Sequence, residues 1–241
     1  MNKSRLDMEL VRLGLVPTRS QAESYIKLGD VKVNGRSVTK SGEMVGGQDR
    51  IELAPRQQYV SRAALKLASV TAALRINFYG KTILDVGSST GGFTDYALRH
   101  GAIKSIAVEL GTDQLHPSLR GNPAIELHEQ TDIRDFTTDE VIDVVVADVS
   151  FISLREILPS VARLCTSQTA IIAMVKPQFE AVRSNLKHKG VIKNDRIRRD
   201  ILKDFETWAL QRFKIIDKAD SQVSGSKGNV ERFYHLQKLK Q

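Results

Sequence analysis

Residues 83–93 read Ile83-Leu84-Asp85-Val86-Gly87-Ser88-Ser89-Thr90-Gly91-Gly92-Phe93. An apolar run ends in an acid and a valine, a turn of small residues follows, and a helical pattern then covers 93–100. Small residues at the carboxyl end of a strand let the backbone come close to a ligand. The spacing excludes two phosphate-binding motifs. Gly87 and Gly91 enclose three residues, so the Gly-x-Gly of a dinucleotide turn is missing, and no Gly-Lys-Ser/Thr follows, so this is not a P-loop. A pyrophosphate cradle is not expected.

Working outward, strand-like runs at 82–87, 105–110, 124–128, 143–148, 169–176, 214–219 and 230–239 are interleaved with helical patterns at 93–100, 154–164 and 196–213. Continuous apolar runs such as Val144-Val145-Val146-Ala147 suit a sheet covered on both faces. The expected fold class is α/β, a doubly wound Rossmann-like sheet. A polar stretch with Pro55 divides the chain into a small α+β unit at 1–54, a linker at 55–60 and the α/β unit at 61–241. In the small unit, Leu6, Leu10 and Leu13 form one helical stripe. Thr18 can cap a second helix bearing Ala22, Tyr25 and Ile26. Asn34-Gly35 between alternating residues predicts a hairpin.

Composition narrows the class. The 241 residues are 41% hydrophobic and 27% charged, ordinary for a globular chain. No apolar run reaches 18 residues and the N-terminus lacks a signal-peptide core, so neither stable membrane association nor secretion is expected and the cytoplasm is the expected location. The single Cys165 excludes an internal disulfide, and His100, His116, His128, His188 and His235 show no metal-ligand spacing, so no metal is expected. Net charge is +8, and residues 176–241 hold 16 basic against 8 acidic groups. A polyanionic partner fits that excess; a merely solubilising surface fits it equally well.

Acids recur at successive strand ends. Glu109 follows Asp85 by 24 residues, where a carboxylate can accept hydrogen bonds from ribose hydroxyls, and Asp132 can receive an adenine amino group. These features resemble the S-adenosyl-L-methionine (SAM) pocket of class I methyltransferases. The candidate cofactor residues are Asp85, Gly87, Ser88, Thr90, Gly91, Gly92, Glu109, Asp132 and Asp148. A second set stands apart: Lys66 before the sheet, Asp148 and Lys176 ending strands, and Glu231 opening the last one. Charged groups at the ends of apolar strands make poor core and good catalysts. Ribose methylation needs the hydroxyl proton removed, which a lysine near a second cation can do, and carboxylates would hold the ammonium groups.

The blocks Ser61–Leu67 (Ser-Arg-Ala-Ala-Leu-Lys-Leu), Asp85–Phe93, Ala147–Leu154 and Val175–Glu180 resemble the TlyA family, whose catalytic domain is FtsJ-like (RrmJ-type). The resemblance implies a ribosomal RNA ribose 2′-O-methyltransferase with a Lys66-Asp148-Lys176-Glu231 tetrad, SAM as cofactor and a cytidine as target. Glu109 stands where an Asp is common. Because the chain ends ten residues after Glu231, the short, large-subunit-directed form is expected. The small unit resembles an S-four RNA-binding domain, and Arg5, Arg19, Lys27 and Lys32 could contact phosphates. Residues 183–199 hold seven basic groups against one acid, and Arg183, Lys187 and Lys189 are candidate RNA contacts. The family's haemolysin label suggests a membrane-active alternative, and a non-catalytic RNA-binding protein is a third reading.

Overall fold

The computed structural model describes residues 3–53, 59–181, 190–192, 194–225 and 228–239. The small unit runs β1 (Ser4–Arg5), α1 (Leu6–Arg12), α2 (Arg19–Lys27), β2 (Val31–Val33), β3 (Arg36–Ser37), β4 (Met44–Val45) and β5 (Ile51–Leu53). Thr18 caps α2 by accepting from the Gln21 N–H. Asn34 and Gly35 both adopt positive φ, 53° and 79°, as the tight turn between β2 and β3 requires.

The larger unit runs α3 (Arg62–Thr71), β6 (Thr82–Val86), α4 (Gly92–Arg99), β7 (Lys104–Val108), β8 (Ile125–His128), β9 (Val144–Ala147), α5 (Leu154–Leu164), β10 (Ala170–Val175), α6 (Pro177–Glu180), α7 (Asp195–Ala209), β11 (Phe213–Asp220) and β12 (Arg232–Lys238). Its sheet has the order β11-β12-β10-β9-β6-β7-β8. Strands β6 to β10 are parallel, while β12 runs antiparallel to both neighbours. β12 alone departs from a fully parallel sheet because the segment joining β11 to it contains no crossover helix among its described residues, and strands joined without one pair antiparallel.

Alternation explains why the strands read as unbroken apolar runs. Leu84, Val86, Val145 and Ala173 face one core with α5 and α7, whereas Ile83, Val144, Val146 and Met174 face the other with α3 and α4. The chain order reverses between β6 and β9, so the crevice beyond their carboxyl ends is the place for a ligand. Trp208 and Cys165 pack in the first core, and burial pushes the Cys165 thiol up to about 12. Among the described residues no helix is long and apolar enough to cross a membrane.

The two units share a core. Leu65 of α3 and Val223, both fully buried, pack with Leu6, Tyr25 and Ile26 of the small unit, and the Tyr25 hydroxyl accepts from the Tyr59 N–H at 3.3 Å. Truncating one of these shared side chains leaves a cavity under both units. Leu65→Ala is expected to lower unfolding free energy by about 2–4 kcal/mol, measured by urea denaturation. A loss near zero would show that the units do not support each other.

Candidate active site

Gly87 ends β6 with φ of +77°, and a Cβ there would stand 2.9 Å from the Asp148 carbonyl oxygen. The missing side chain lets the ends of β6 and β9 meet, which brings the glycine turn and Asp148 to one crevice. The crevice has two chambers. The larger, about 650 Å³, is walled by Gly87, Glu109, Leu110, Asp132, Asp148 and Phe151 among others. The smaller, about 140 Å³, is walled by Asp85, Ser88, Thr90, Asp148, Ser150 and Lys176 among others. Gly87, Ser89, Asp148 and Ser150 line both.

Asp85 is buried, and its Oδ2 accepts from the Thr94 N–H at 2.9 Å and the Thr94 hydroxyl at 2.7 Å. Burial pushes its carboxyl up to about 7; the Thr94 hydrogen bonds oppose that rise and the charges of Asp148 and Glu109 add to it. The Ser88 hydroxyl is buried without a hydrogen-bond partner among the described residues. Glu109 accepts from the N–H groups of Ser89, at 2.9 Å, and Gly111, at 2.7 Å. A carboxylate can accept about four hydrogen bonds, so Glu109 retains capacity for ribose hydroxyls. Asp132 differs. Arg134 donates to both its oxygens from the backbone N–H, Nε and Nη2, and these bonds hold its carboxyl below the usual range. Gly91 and Gly92 line neither chamber; they abut Leu115 and Leu119, and Ser61 and Ala63, where they fit the turn against α3.

The four lysine and acid positions form two pairs. Lys66 Nζ donates to Glu231 Oε1 at 3.0 Å, with side-chain exposures of 12% and 3%. Gly225 leaves room for that carboxylate, since a Cβ there would strike Oε1. Lys176 Nζ lies 2.5 Å from Asp148 Oδ1. The pairs are neighbours because Val175 pairs with Arg232 across β10 and β12, and Lys176 and Glu231 adjoin that rung. Behind Lys176, α6 is braced by the buried Glu180, which accepts from the Ser153 hydroxyl and the Leu154 N–H.

Sequence reasoning missed Ser150, Gln114, Arg134 and Phe151, which line the larger chamber. Phe151 is 91% exposed, holds φ of +66°, and its ring centroid lies 5.3 Å from that of Phe179. Of these, Phe151 carried a signal, since a large apolar residue three positions after a strand-ending acid has no core to enter.

On the small unit, Lys27 and Lys32 are exposed. Arg5 and Arg19 both donate to the fully buried Asp7, at distances from 2.8 to 3.0 Å. Burial alone would raise the Asp7 carboxyl; the two arginines reverse that and bring it below its ordinary value. Arg183, Lys187 and Lys189 lie outside the described residues.

Residues 59–238 match the family model for FtsJ-like methyltransferases, and residues 4–51 match that of the S4 domain. The chain is 34% identical over 240 residues to the 16S/23S rRNA (cytidine-2′-O)-methyltransferase TlyA of Mycobacterium tuberculosis, covering 97% of this chain and 90% of that one. It is 43% identical over 185 residues to the 23S rRNA (cytidine-2′-O)-methyltransferase TlyA of Campylobacter jejuni, covering 73% and 70%. A solved structure from Streptococcus thermophilus that bears the hemolysin label superposes with a TM-score of 0.72 at 33% identity, covering 100% of this chain and 90% of that one.

The buried Asp85 makes stability depend on pH. Its folded-state value of about 7 lies above the ordinary aspartate value near 4, so in that interval the native state holds a proton that the unfolded chain has lost. Its contribution therefore favours folding at low pH and is progressively lost as pH rises toward 7. Asp85→Asn, which can still accept from Thr94, is expected to melt at a higher temperature than the parent at pH 8, with the gap closing by pH 4. Thermal melts across that range check this; parallel curves would refute the buried titration.

Proposed function

The chain belongs to the FtsJ-like methyltransferase family and carries an S4 domain, and from that premise we propose that it is a SAM-dependent ribosomal RNA ribose 2′-O-methyltransferase acting on a cytidine of the large subunit. The observation that carries the reading is Lys176, a lysine at a strand end beside Asp148, on the wall of the smaller chamber. Both TlyA relatives named above act, by name, on a cytidine of 23S rRNA, and one also acts on 16S rRNA; the large subunit is the substrate they share.

The residues fit the cofactor. The larger chamber has the volume for an adenosine, with Glu109 toward the ribose, and Asp85 and the Ser88 hydroxyl, unpartnered among the described residues, offer polar contacts for an amino-acid end. Asp132 takes the adenine amino group only by loosening its grip on Arg134, whose bonds occupy both oxygens. SAM, when bound, supplies a sulfonium methyl whose transfer to a ribose oxygen leaves a neutral thioether. Lys176 in its neutral form takes the 2′-hydroxyl proton as the oxygen–methyl bond forms and the sulfur–methyl bond breaks. Asp148 stabilises the ammonium that results, and the Lys66–Glu231 pair fixes the neighbouring strand end with its charges matched. The exposed Phe151 offers a face for the target base. Lys27, Lys32, the outer atoms of Arg5 and Arg19, and the basic segment 183–199 supply contacts to RNA phosphates. The enzyme works where ribosomal subunits are assembled, in the cytoplasm.

Calorimetry is expected to show SAM binding to the wild-type chain and to Lys176→Ala with similar affinity. Single-turnover methyl transfer to large-subunit RNA should fall at least about 10²-fold in that variant. Full activity of Lys176→Ala would remove it as the base.

The small unit is best tested by point changes, because deleting residues 1–54 would bare Leu65 and Val223. Lys27→Glu with Lys32→Glu should weaken RNA methylation and reduce its salt sensitivity while leaving SAM affinity unchanged. Unaltered RNA methylation over a salt series would place the RNA contacts elsewhere.

A further inference from the structure

The two lysines are held differently. Lys66 makes an aligned hydrogen bond to Glu231. Lys176 lies 2.5 Å from Asp148 Oδ1, yet that oxygen receives no aligned hydrogen bond. The aligned acceptor for Lys176 among the described residues is the Ser150 hydroxyl, at 2.6 Å. Charge attraction holds an ammonium close but carries little direction, whereas a hydrogen bond weakens steeply off its axis. The carboxylate therefore retains the lysine and the hydroxyl aims it.

We propose that Ser150 is a positioning residue for methyl transfer, accepting one N–H of Lys176 so that the nitrogen presents its remaining position to the ribose hydroxyl. The proposal rests on the reading above that Lys176 takes the ribose proton. An ammonium has three N–H groups and a neutral amine two. With one directed to Ser150 and one drawn toward Asp148, the site vacated on deprotonation is the third, toward the chamber that Lys176 and Ser150 both line. A neutral acceptor suits this role because it orients the nitrogen without adding a second negative charge that would retain the proton. Among the described residues, the charged groups set about Lys176 are Asp148 beyond β9, Asp85 in β6, the paired Glu231 and Lys66 at β12 and α3, and the buried Glu180 behind it on α6; Phe179 presents its ring, 5.8 Å from Nζ.

The backbone supports the assignment. Phe151 holds φ of +66°, in a region that bulky residues rarely adopt. This kink directly follows Ser150 and precedes Ser153, whose side chain caps α5. Strain of this kind persists where surroundings enforce it, commonly at functional sites.

The test compares wild type, Ser150→Ala and Ser150→Thr in single-turnover methylation of large-subunit RNA over a pH series, with SAM affinity measured alongside. Ser150→Ala is expected to lower the plateau rate about 10-fold to 100-fold, the loss typical of a misaimed catalytic group, without changing SAM affinity. The acid limb of its pH–rate profile should move to lower pH, because a hydroxyl acceptor favours the ammonium over the amine. Ser150→Thr, which keeps the hydroxyl, should restore both. A readout that needs no RNA is the acylation rate of Lys176 by an amine reagent, followed by mass spectrometry: Ser150→Ala should react severalfold faster than wild type and Ser150→Thr like wild type. An unchanged plateau and limb in an active Ser150→Ala enzyme would overturn the positioning role, as would unchanged acylation. A wild-type chain that binds SAM but methylates no RNA would overturn the functional reading itself, and the positioning role with it.

Discussion

At the carboxyl edge of the sheet, β6 and β9 approach until the Asp148 carbonyl stands where a side chain of residue 87 would be. No residue with a Cβ keeps that spacing at a φ of +77° without displacing one strand end. The crevice follows from this contact. It brings Asp148 under the glycine turn, so that one carboxylate serves both chambers, and it sets Lys176 on the next strand within an ion-pair distance. A side chain at residue 87 would disturb the cofactor side and the reacting side together.

Apart from Asp132, which Arg134 holds, the acids about the crevice are handled in three ways. Asp85 is buried beside neutral donors and its proton is retained toward neutrality. Glu109 rests on two backbone N–H groups, one from the turn after β6 and one from the loop beyond β7. Asp148 and Glu231 each face a lysine. Four carboxylates near one cleft would repel one another if all were charged and unpaired; distributing them among these environments lets them coexist. The saturated contact of Arg134 with Asp132 makes that corner the part of the cleft that has to rearrange for an adenine.

The architecture was legible because strand ends and turns obey local chemistry. Unbroken valine and isoleucine runs announced a sheet covered on both faces, Asn34-Gly35 announced its turn, and Leu154–Leu164 emerged as a helix of those bounds. The charged residues ending strands drew attention to Asp148 and Lys176 for the same reason. Other features depend on tertiary contacts without a sequence period. Nothing in the residues around Asp7 separates a surface acid from one that is fully buried under two arginines. The small unit looked independent because a polar linker follows it, but Leu65 of α3, beyond that linker, packs into its core. Ser150 gave no signal, because a serine beside an acid becomes informative only when the neighbouring strand places a lysine against it. That Gly91 and Gly92 abut leucines and α3 is likewise a tertiary fact that their place in the glycine turn does not disclose.

The arginine pair at Asp7 alters the ionic accounting of any polyanion that docks there. A free arginine on the surface gathers its neutralising charge from dissolved ions, and a phosphate that replaces those ions releases them to bulk, which is the origin of steep salt dependence. Arg5 and Arg19 already carry two anions within the fold, Asp7 between their guanidinium groups and Glu23 at 3.4 Å from Arg19. Two cations beside two carboxylates leave a combined field close to neutral. An RNA backbone crossing this corner therefore expels fewer small ions than the arginine count implies, and a slope of log affinity against log salt under-reports the phosphates touched. Asp7 keeps both guanidinium planes oriented before any phosphate arrives, so the corner exchanges some electrostatic reach for a fixed geometry.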